Sequence, residues 1–341
     1  MPPNEVLPVE SIEFKVSARE RSPCLPPIAA PIPGEALPAW LYRFSKPMGL
    51  SAATFLFEEQ ADVELLSDGR SWRTPRAGFL ERLAARTGTP LSVLKSMTFS
   101  DWTESPDADE VAWRFARGRV HKVQRKLRPS RRYGICPRCL ASDAVPYVRK
   151  LWTLGWVAIC EEHALVLNTA CFECRAMFIM PQIRSTLPRW LTSDHCRCGA
   201  SMIKQRARAA HPFASRLQSV LIAGRGEQRF EWAGLGTLTW STAVALIDLI
   251  LGLAWIGSRA DLRRRCFEQI EYELGATHRL GNACHDGLLI AAWVLERWPD
   301  RAHWLSGELK VPSPRQQLVL WEHLPTDVHE ALQTLLTRSD R

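Results

Sequence analysis

Apolar residues at helical spacing mark a pair of helices between residues 76 and 98. In the first half of this segment they recur one, three and four positions apart, which predicts an amphipathic helix: Phe79, Leu80, Leu83 and Ala84. Gly88 then supplies a tight turn, and Pro90 suits the first position of a second helix. The second apolar face is carried by Val93, Leu94 and Met97. The pattern predicts a helical hairpin inside a helical domain that spans residues 37–110.

The spacing of this hairpin is equally typical of a DNA-binding motif and of an ordinary helical hairpin. Small Ala84, turn residue Gly88 and apolar Leu94 match the helix-turn-helix of DNA-binding proteins, whose second helix enters the major groove. An ordinary helical hairpin that never touches DNA has the same spacing. If the motif binds DNA, the second helix offers three outward side chains to the groove: Ser92, Lys95 and Ser96.

The C-terminal part of the chain, residues 206–341, is predicted to be a helical domain. A buried helix face is indicated by Leu288, Leu289, Ala292, Trp293 and Leu295. The stretch from Thr237 to Gly257 is apolar enough to resemble a membrane span. Asp248 lies near its centre, where an ionisable group is costly in lipid, so we predict a buried core helix instead.

The N-terminal residues 1–36 are rich in proline, which fixes φ and lacks an N–H donor. We predict extended, irregular chain there. They begin with neither a basic start nor an apolar run, so we expect no signal peptide and a cytoplasmic protein whose thiols stay reduced. A DNA partner would make the protein nucleoid-associated. The 341 residues are 46% hydrophobic and 23% charged, as in globular proteins, and the net charge of +8 favours an acidic partner such as nucleic acid.

Much of that positive charge lies in one segment. No acidic residue occurs between Glu110 and Asp143, and a basic helix is predicted from Val111 to Leu127. A charge run is usually a solvated face, but so many uncompensated cations favour binding to the DNA backbone. The candidate contacts are Arg117, Arg119, Lys122, Arg125, Lys126, Arg128, Arg131 and Arg132.

Two sets of closely spaced cysteines follow the basic segment, within residues 111–205. The first set is Cys136, Cys139, Cys160 and His163, and the second is Cys171, Cys174, Cys196 and Cys198. Each set offers four soft ligands as two close pairs separated by a loop, which is what a closed tetrahedral zinc site requires. Disulfide or purely structural cysteines are the alternative. We therefore predict two structural Zn²⁺ ions in tandem modules, with Trp152 and Trp156 packed inside the first rather than stacked on bases.

A zinc enzyme is the competing interpretation of these clusters. Glu161 and Glu162 lie inside the pair that ends at His163, but four filled positions leave no place for a catalytic water. The sequence contains no HExxH motif and no phosphate-binding glycine loop. A third metal site from Cys266, His278, Cys284, His285 and His303 has irregular spacing, so we expect buried cysteines and scattered surface histidines there.

The region from about residue 37 to 200 resembles the TniQ family of transposition proteins. The opening resemblance is Leu37-Pro-x-Trp40-Leu41-x-Arg43. The more specific part is Cys136-Pro-x-Cys139-Leu140, Pro146-Tyr147, Arg149, Leu151-Trp152, Cys160-x-x-His163, Leu167, Cys171-x-x-Cys174 and Cys196-x-Cys198-Gly199. Unrelated zinc ribbons lack the Pro-Tyr and Leu-Trp insert between the ligand pairs.

The resemblance implies a mainly α-helical protein with an N-terminal helix-turn-helix, tandem zinc modules and a C-terminal helical domain. It implies a non-catalytic factor that selects the target in DNA transposition, by binding DNA or by joining another targeting factor such as a guide-RNA effector complex. It further implies recruitment of an ATPase regulator and, through it, the transposase. A homodimer is compatible with this role, and a membrane is not an expected partner.

Two points depart from this pattern or compete with it. Arg175 stands where such a knuckle usually has glycine, and His195 adjoins Cys196 and is a conceivable substitute ligand, although the Cys196–Cys198 pair is the better chelate. A transcription regulator would carry the same helix-turn-helix and zinc modules, so the sequence alone does not separate it from a transposition factor.

Overall fold

The structure is a computed structural model that describes residues 29–45, 72–73, 75–100, 133–154, 156–178, 195–196, 198–233, 235–240, 242–244, 246–247, 250, 260–274, 283–298, 300–302 and 304. Most of the proline-rich N-terminal segment and the whole of the predicted basic helix lie outside the described residues. The described elements run in the order α1 (Leu37–Ser45), α2 (Phe79–Thr87), α3 (Leu91–Ser96), α4 (Pro137–Ser142), a 3-10 turn (Lys150–Thr153), β1 (Ile159–Cys160), β2 (Leu165–Val166), α5 (Pro212–Glu227), β3 (Arg229–Trp232), β4 (Gly236–Thr239), α6 (Ala260–Leu274) and α7 (Ala283–Glu296).

The predicted helical hairpin is present as α2 and α3. Gly88 ends α2 with a φ of 67°, a left-handed conformation that glycine adopts without strain, and its N–H donates to the carbonyl of Ala84 at 2.9 Å. Pro90 is the N-cap of α3 rather than its first helical residue. Its carbonyl accepts hydrogen bonds from the N–H groups of Val93 and Leu94. Leu94 is fully buried on the inner face of α3.

Main-chain hydrogen bonds join the N-terminal helices to the segment that carries the first cysteine set. The N–H of Leu37 donates to Met97 at 3.2 Å, and the N–H of Ala36 donates to Val148 at 3.0 Å. The N–H of Lys150 donates to Gly34 at 2.7 Å. These bonds fix α1, the end of α3 and the 3-10 turn in one packed unit.

The cysteine-bearing segment contains little regular structure. Strands β1 and β2 pair antiparallel, with Ile159 opposite Val166. Trp152 and Trp156 are only 4% and 5% exposed, so their predicted role in packing is confirmed. Because strands of two residues contribute few hydrogen bonds, the module depends on its side chains for stability.

The C-terminal part differs from the all-helical prediction. Strands β3 and β4 form an antiparallel hairpin over residues 229–239, so the helix predicted from Thr237 is wrong at its start. The alternation of inward Phe230 and Trp232 with exposed residues is the sequence signal that could have predicted β3. Gly236, with a φ of 74°, is the first residue of β4 after the turn. Helical residues follow from Trp240 onward, and Asp248 lies outside the described residues.

Helix α7 packs against α5 and forms the centre of the C-terminal core. The residues predicted for its buried face are at most 1% exposed, and the intervening Ile290, Ala291 and Val294 are buried as well. A helix that is apolar on all sides is a core helix. Among the described residues, no helix is both long and apolar enough to cross a membrane.

One buried side chain ties α5 to β1. The amide oxygen of Gln218 accepts hydrogen bonds from the N–H groups of Ala158 at 2.8 Å and Ile159 at 3.0 Å, and its amide nitrogen donates to the carbonyl of Ile159 at 2.8 Å. Gln218 is 0% exposed. A single side chain therefore satisfies three buried backbone groups across two parts of the chain.

Replacing this side chain tests how strongly the two parts are coupled. We expect Gln218→Met, which keeps the volume but leaves the three backbone groups unpaired, to lower the free energy of unfolding by about 3 kcal/mol. Chemical denaturation of the purified protein measures the change. Ser219→Ala is the control: it removes only an exposed hydroxyl that donates to the carboxylate of Glu161 at 3.2 Å, and it should change stability by less than about 0.5 kcal/mol. Equal stability of the two variants would contradict the coupling.

Candidate metal centres and nucleic-acid interface

The first cluster is assembled from two turns. Cys136 precedes α4 and Cys139 lies in its first turn, with Pro137 as the first helical residue. Cys160 ends β1, and His163 lies in the turn that leads to β2. The antiparallel pairing of β1 and β2 holds this turn against α4, so the two ligand pairs face each other.

The distances in the first cluster match those between ligands of one tetrahedral ion. The Sγ atoms of Cys139 and Cys160 are 3.4 Å apart. The Nδ1 atom of His163 lies 3.2 Å from Cys139 Sγ, 3.6 Å from Cys160 Sγ and 3.7 Å from Cys136 Sγ. Ligands about 2.0–2.3 Å from one zinc are separated by roughly 3.3–3.8 Å. These four residues therefore form a group that could hold a metal ion through Nδ1 of the histidine.

The second cluster has the same spacing but is more open to solvent. Cys171 Sγ lies 3.7 Å from Cys198 Sγ, and Cys174 Sγ lies 3.7 Å from Cys196 Sγ. All four ligand atoms are within 4.8 Å of one another. Cys171 and Cys196 are buried, whereas Cys174 and Cys198 are exposed.

The backbone after the second ligand of a pair adopts a left-handed conformation in three of the turns. The φ angles are 49° at Ala164, 58° at Arg175 and 88° at Gly199. The N–H of Arg175 donates to the carbonyl of Cys171 at 3.0 Å, and that of Gly199 donates to the carbonyl of Cys196 at 2.8 Å, so the two turns of the second cluster are each closed by the residue that follows the ligands. Knuckles of this kind aim two side chains at one point.

The thiols differ in pKa because they are crowded and unequally buried. A hydrogen bond from Cys160, with smaller contributions from backbone N–H groups, lowers the pKa of Cys136 to about 5. Burial raises the pKa of Cys139 to about 12, and burial also raises that of Cys196 to about 12. A hydrogen bond from the backbone of Ala176 lowers the pKa of Cys174 to about 7. A cation is therefore needed before all thiols of a cluster ionise together, and metal competes with protons for them.

Arg149 organises the surroundings of the first cluster. Its guanidinium donates two hydrogen bonds to Asp143, both 3.0 Å, and lies 3.6 Å from a carboxylate oxygen of Glu162. It also lies over the rings of Tyr147 at 4.6 Å and Trp152 at 4.7 Å. Tyr147, Arg149, Trp152 and Glu162 border a groove of about 370 Å³ that reaches α5. The sequence analysis named all four of these residues, but it did not predict the contacts between them.

The candidate DNA-contacting residues of the hairpin lie on one side of α3. Ser92, Lys95 and Ser96 are exposed. The carbonyls of Ser96 and Thr98 accept hydrogen bonds from the ammonium of Lys150 at 2.6 Å and 2.7 Å, so the end of α3 is joined to the segment that carries the first cysteine set. The basic candidates Arg117, Arg119, Lys122, Arg125, Lys126, Arg128, Arg131 and Arg132 lie outside the described residues.

The structure also describes His195 and His285, two histidines that the sequence analysis considered as metal ligands and did not favour. His195 is exposed and pairs with Ser201 through a β-bridge, and the second four-residue group contains Cys196 and Cys198 instead. His285 is not a surface histidine as expected, because it is 0% exposed. Its Nε2 accepts from the N–H of His211 at 3.1 Å, and its Nδ1 lies 3.3 Å from Asp286. Among the described residues, no third metal-binding group includes it.

Single substitutions test the assignment of the two clusters. We expect Cys139→Ser and Cys174→Ser each to reduce the metal content of the purified protein by one ion, because each removes one of four ligands. Elemental analysis by mass spectrometry measures the ratio of metal to protein. Cys266→Ala, at a buried cysteine outside both clusters, is the control and should keep both ions. Variants of the cluster cysteines that keep full metal content would overturn the assignment.

The difference in exposure predicts an order of metal release. Falling pH protonates thiolates and displaces the metal, and the exposed Cys174 and Cys198 are reached first by protons and chelator. We expect two phases of release into a colorimetric chelator as the pH is lowered, the first from the second cluster. Cys174→Ser should remove that early phase and keep the later one. A single phase in the unmodified protein, or loss of the late phase in the variant, would contradict this order.

Comparison with known proteins finds a family model that matches part of the chain. The model of the TniQ family matches residues 26–167. This segment contains α1 to α4, the 3-10 turn, both short strands and the whole first cluster, and it ends before Cys171. No curated protein matches the chain. The helices, the inserted Pro-Tyr and Leu-Trp residues and the first four-residue cluster lie together in the matched segment, and over these residues the chain is similar to the TniQ family.

Proposed function

We propose that this protein is a non-catalytic adaptor that selects the target in DNA transposition. The observation that carries the proposal is the TniQ match over residues 26–167, which covers the helical hairpin and the first cluster. In this role the protein binds DNA or a targeting complex, including one guided by RNA, and recruits the transposition ATPase regulator and the transposase. Its site of action is then the DNA, and a homodimer is one form in which it could act.

The metal in both clusters is proposed to be Zn²⁺ in a structural role. Cys136, Cys139, Cys160 and His163 are the proposed ligands of the first ion, and the four cysteines of the second cluster hold the second. Thiolate and imidazole ligands at tetrahedral separations favour zinc over harder cations. Since four protein ligands leave no open position for water or substrate, the clusters support folding rather than catalysis.

The hairpin of α2 and α3 is proposed to act as the helix-turn-helix. Exposure of Ser92, Lys95 and Ser96 on the outer side of α3 supports this assignment. Lys150 fastens the end of α3 to the metal-binding segment, so an ion in the first cluster would stabilise the orientation of this helix. The basic residues between 117 and 132 are proposed to contact phosphates and to give duplex binding its salt dependence.

A reconstituted transposition reaction tests the proposed function. It combines a transposase, its ATPase regulator, a donor element and target DNA, with insertion sites read by sequencing. We expect insertions to cluster only when this protein is present, and the ATPase to co-purify with it. An unchanged insertion pattern together with no ATPase binding would overturn the proposal. Specific binding to promoter duplexes without an effect on insertion would favour a transcription regulator.

The contribution of α3 is measured by duplex binding in the same system. We expect Lys95→Ala to weaken binding to the selected target duplex by about 1–3 kcal/mol if Lys95 contacts a base edge. Arg264→Ala, which removes an exposed cation from α6, is the control and should leave this affinity unchanged. An unaffected Lys95→Ala variant would leave α2 and α3 as an ordinary helical hairpin, with targeting supplied by a partner complex.

A further inference from the structure

The second cluster carries an exposed aromatic ring that its own core does not use. Phe172 follows Cys171 directly, and 46% of its surface is exposed. The neighbouring core is filled by Phe178, which is 2% exposed and packs against Tyr133 with ring centroids 5.9 Å apart. A single exposed apolar residue has no meaning by itself, so the surroundings of the ring decide what it does.

Two guanidinium groups lie over this ring. The Cζ atom of Arg175 is 5.3 Å from the ring centroid, and that of Arg206 is 6.0 Å from it. Arg206 comes from the loop after the cluster, where the side-chain amide of Asn168 donates to its carbonyl at 2.9 Å and fixes the backbone. Phe172, Arg175 and Arg206 therefore form one aromatic and cationic surface from two segments of the chain.

Arg175 keeps its side chain at a conformational cost. Its φ of 58° is left-handed, and Gly199, which follows the other ligand pair of the same cluster, has a φ of 88°. Glycine adopts this conformation without the steric penalty that a side chain brings. Ala164 takes the same left-handed conformation after the first cluster, so the backbone alone assigns no role, and the case for Arg175 rests on the position of its guanidinium over the ring.

The chemistry of this surface fits an unpaired nucleotide. Aromatic rings and guanidinium planes stack on nucleobases, and guanidinium groups bind phosphate. Exposed Lys204 lies near Arg206 in sequence and adds positive charge, while exposed Glu173 and the thiolates of a metal-loaded cluster add negative charge. The arginines therefore supply the attraction for phosphate. In a duplex the faces of the bases are covered, so only an unpaired base reaches the ring.

We propose that Phe172, Arg175 and Arg206 form a binding site for single-stranded nucleic acid, with a base stacked on this surface and its phosphate held by the guanidiniums. The site rests on the proposed function for its setting, since strand opening at a target exposes unpaired bases, but its chemistry does not depend on that function. DNA and RNA share this chemistry and are distinguished by the test.

The test measures fluorescence anisotropy of labelled oligothymidylate, oligouridylate and a duplex of equal length with the full, metal-loaded chain. We expect Phe172→Ala to weaken binding to the preferred single strand at least about fivefold and binding to the duplex less than about twofold. Phe172→Trp, which retains a ring, should bind as the unmodified protein does. Tyr272→Ala removes an exposed ring from α6 and is the control.

Arg175→Gly separates binding from folding. It relieves the left-handed backbone, so thermal stability should stay the same or rise while affinity for the single strand falls. Single-strand affinity that is unchanged in Phe172→Ala, or lost equally for duplex and single strand, would overturn the site. Labelled polyglutamate is measured in the same assay as a probe for an acidic protein partner. Loss of polyglutamate binding alone in Phe172→Ala would assign the surface to such a partner and overturn the site as well.

The outcomes also separate this site from the proposed function. Phe172-dependent binding to a single strand, combined with an unchanged insertion pattern and no ATPase binding in the transposition reaction, upholds the site and overturns the proposed function. Altered insertion sites combined with single-strand binding that does not depend on Phe172 overturn the site alone.

Discussion

Four candidate ligand atoms from two distant turns lie within 4.8 Å of one another, and the N-terminal half of the structure depends on this constraint. Cys136 and Cys139 come from the start of α4, whereas Cys160 and His163 come from β1 and the turn after it. Burial and crowding oppose simultaneous ionisation, as the opposite shifts in the pKa of Cys136 to about 5 and of Cys139 to about 12 show. Strands of two residues offer little stability of their own, so a bound dication would supply folding free energy that packing does not.

The chain between the two ligand pairs carries this constraint outward. Arg149 lies between Tyr147 and Trp152 and donates to Asp143, which keeps the segment after α4 in place. The next residue, Lys150, donates to the carbonyls of Ser96 and Thr98 at the end of α3. The orientation of the helical hairpin is thus linked to the first cluster through two adjacent cations. The hairpin and the metal-binding segment therefore form one unit, although the sequence places them in separate predicted domains.

The sequence predicts what depends on local spacing and misses what depends on contacts between distant segments. The residues of both clusters, α2, α3 and the buried face of α7 follow from cysteine spacing, Gly88 and helical periodicity. The hairpin of β3 and β4 was hidden because Thr237 to Thr239 lead into an apolar stretch that is typical of a helix. The burial of His285 depends on the N–H of His211, and the coupling by Gln218 depends on β1, so neither has a local signature. Because Phe172 is apolar, the sequence gives no sign that its ring is exposed, and only the folded structure shows this.

The two clusters share ligand spacing but differ in the environment that the chain gives them. The first lies inside the matched TniQ segment, with three buried cysteines and a histidine, and its neighbours Arg149 and Lys150 hold other elements in place. The second lies outside that segment and exposes two of its four cysteines. Arg175 takes the left-handed conformation that Ala164 takes after the first cluster, but it carries a long cationic side chain. A module whose only task was to stabilise the fold would gain from burying Phe172 and from a glycine at position 175. The second module has neither, which agrees with the proposed binding site at Phe172, Arg175 and Arg206.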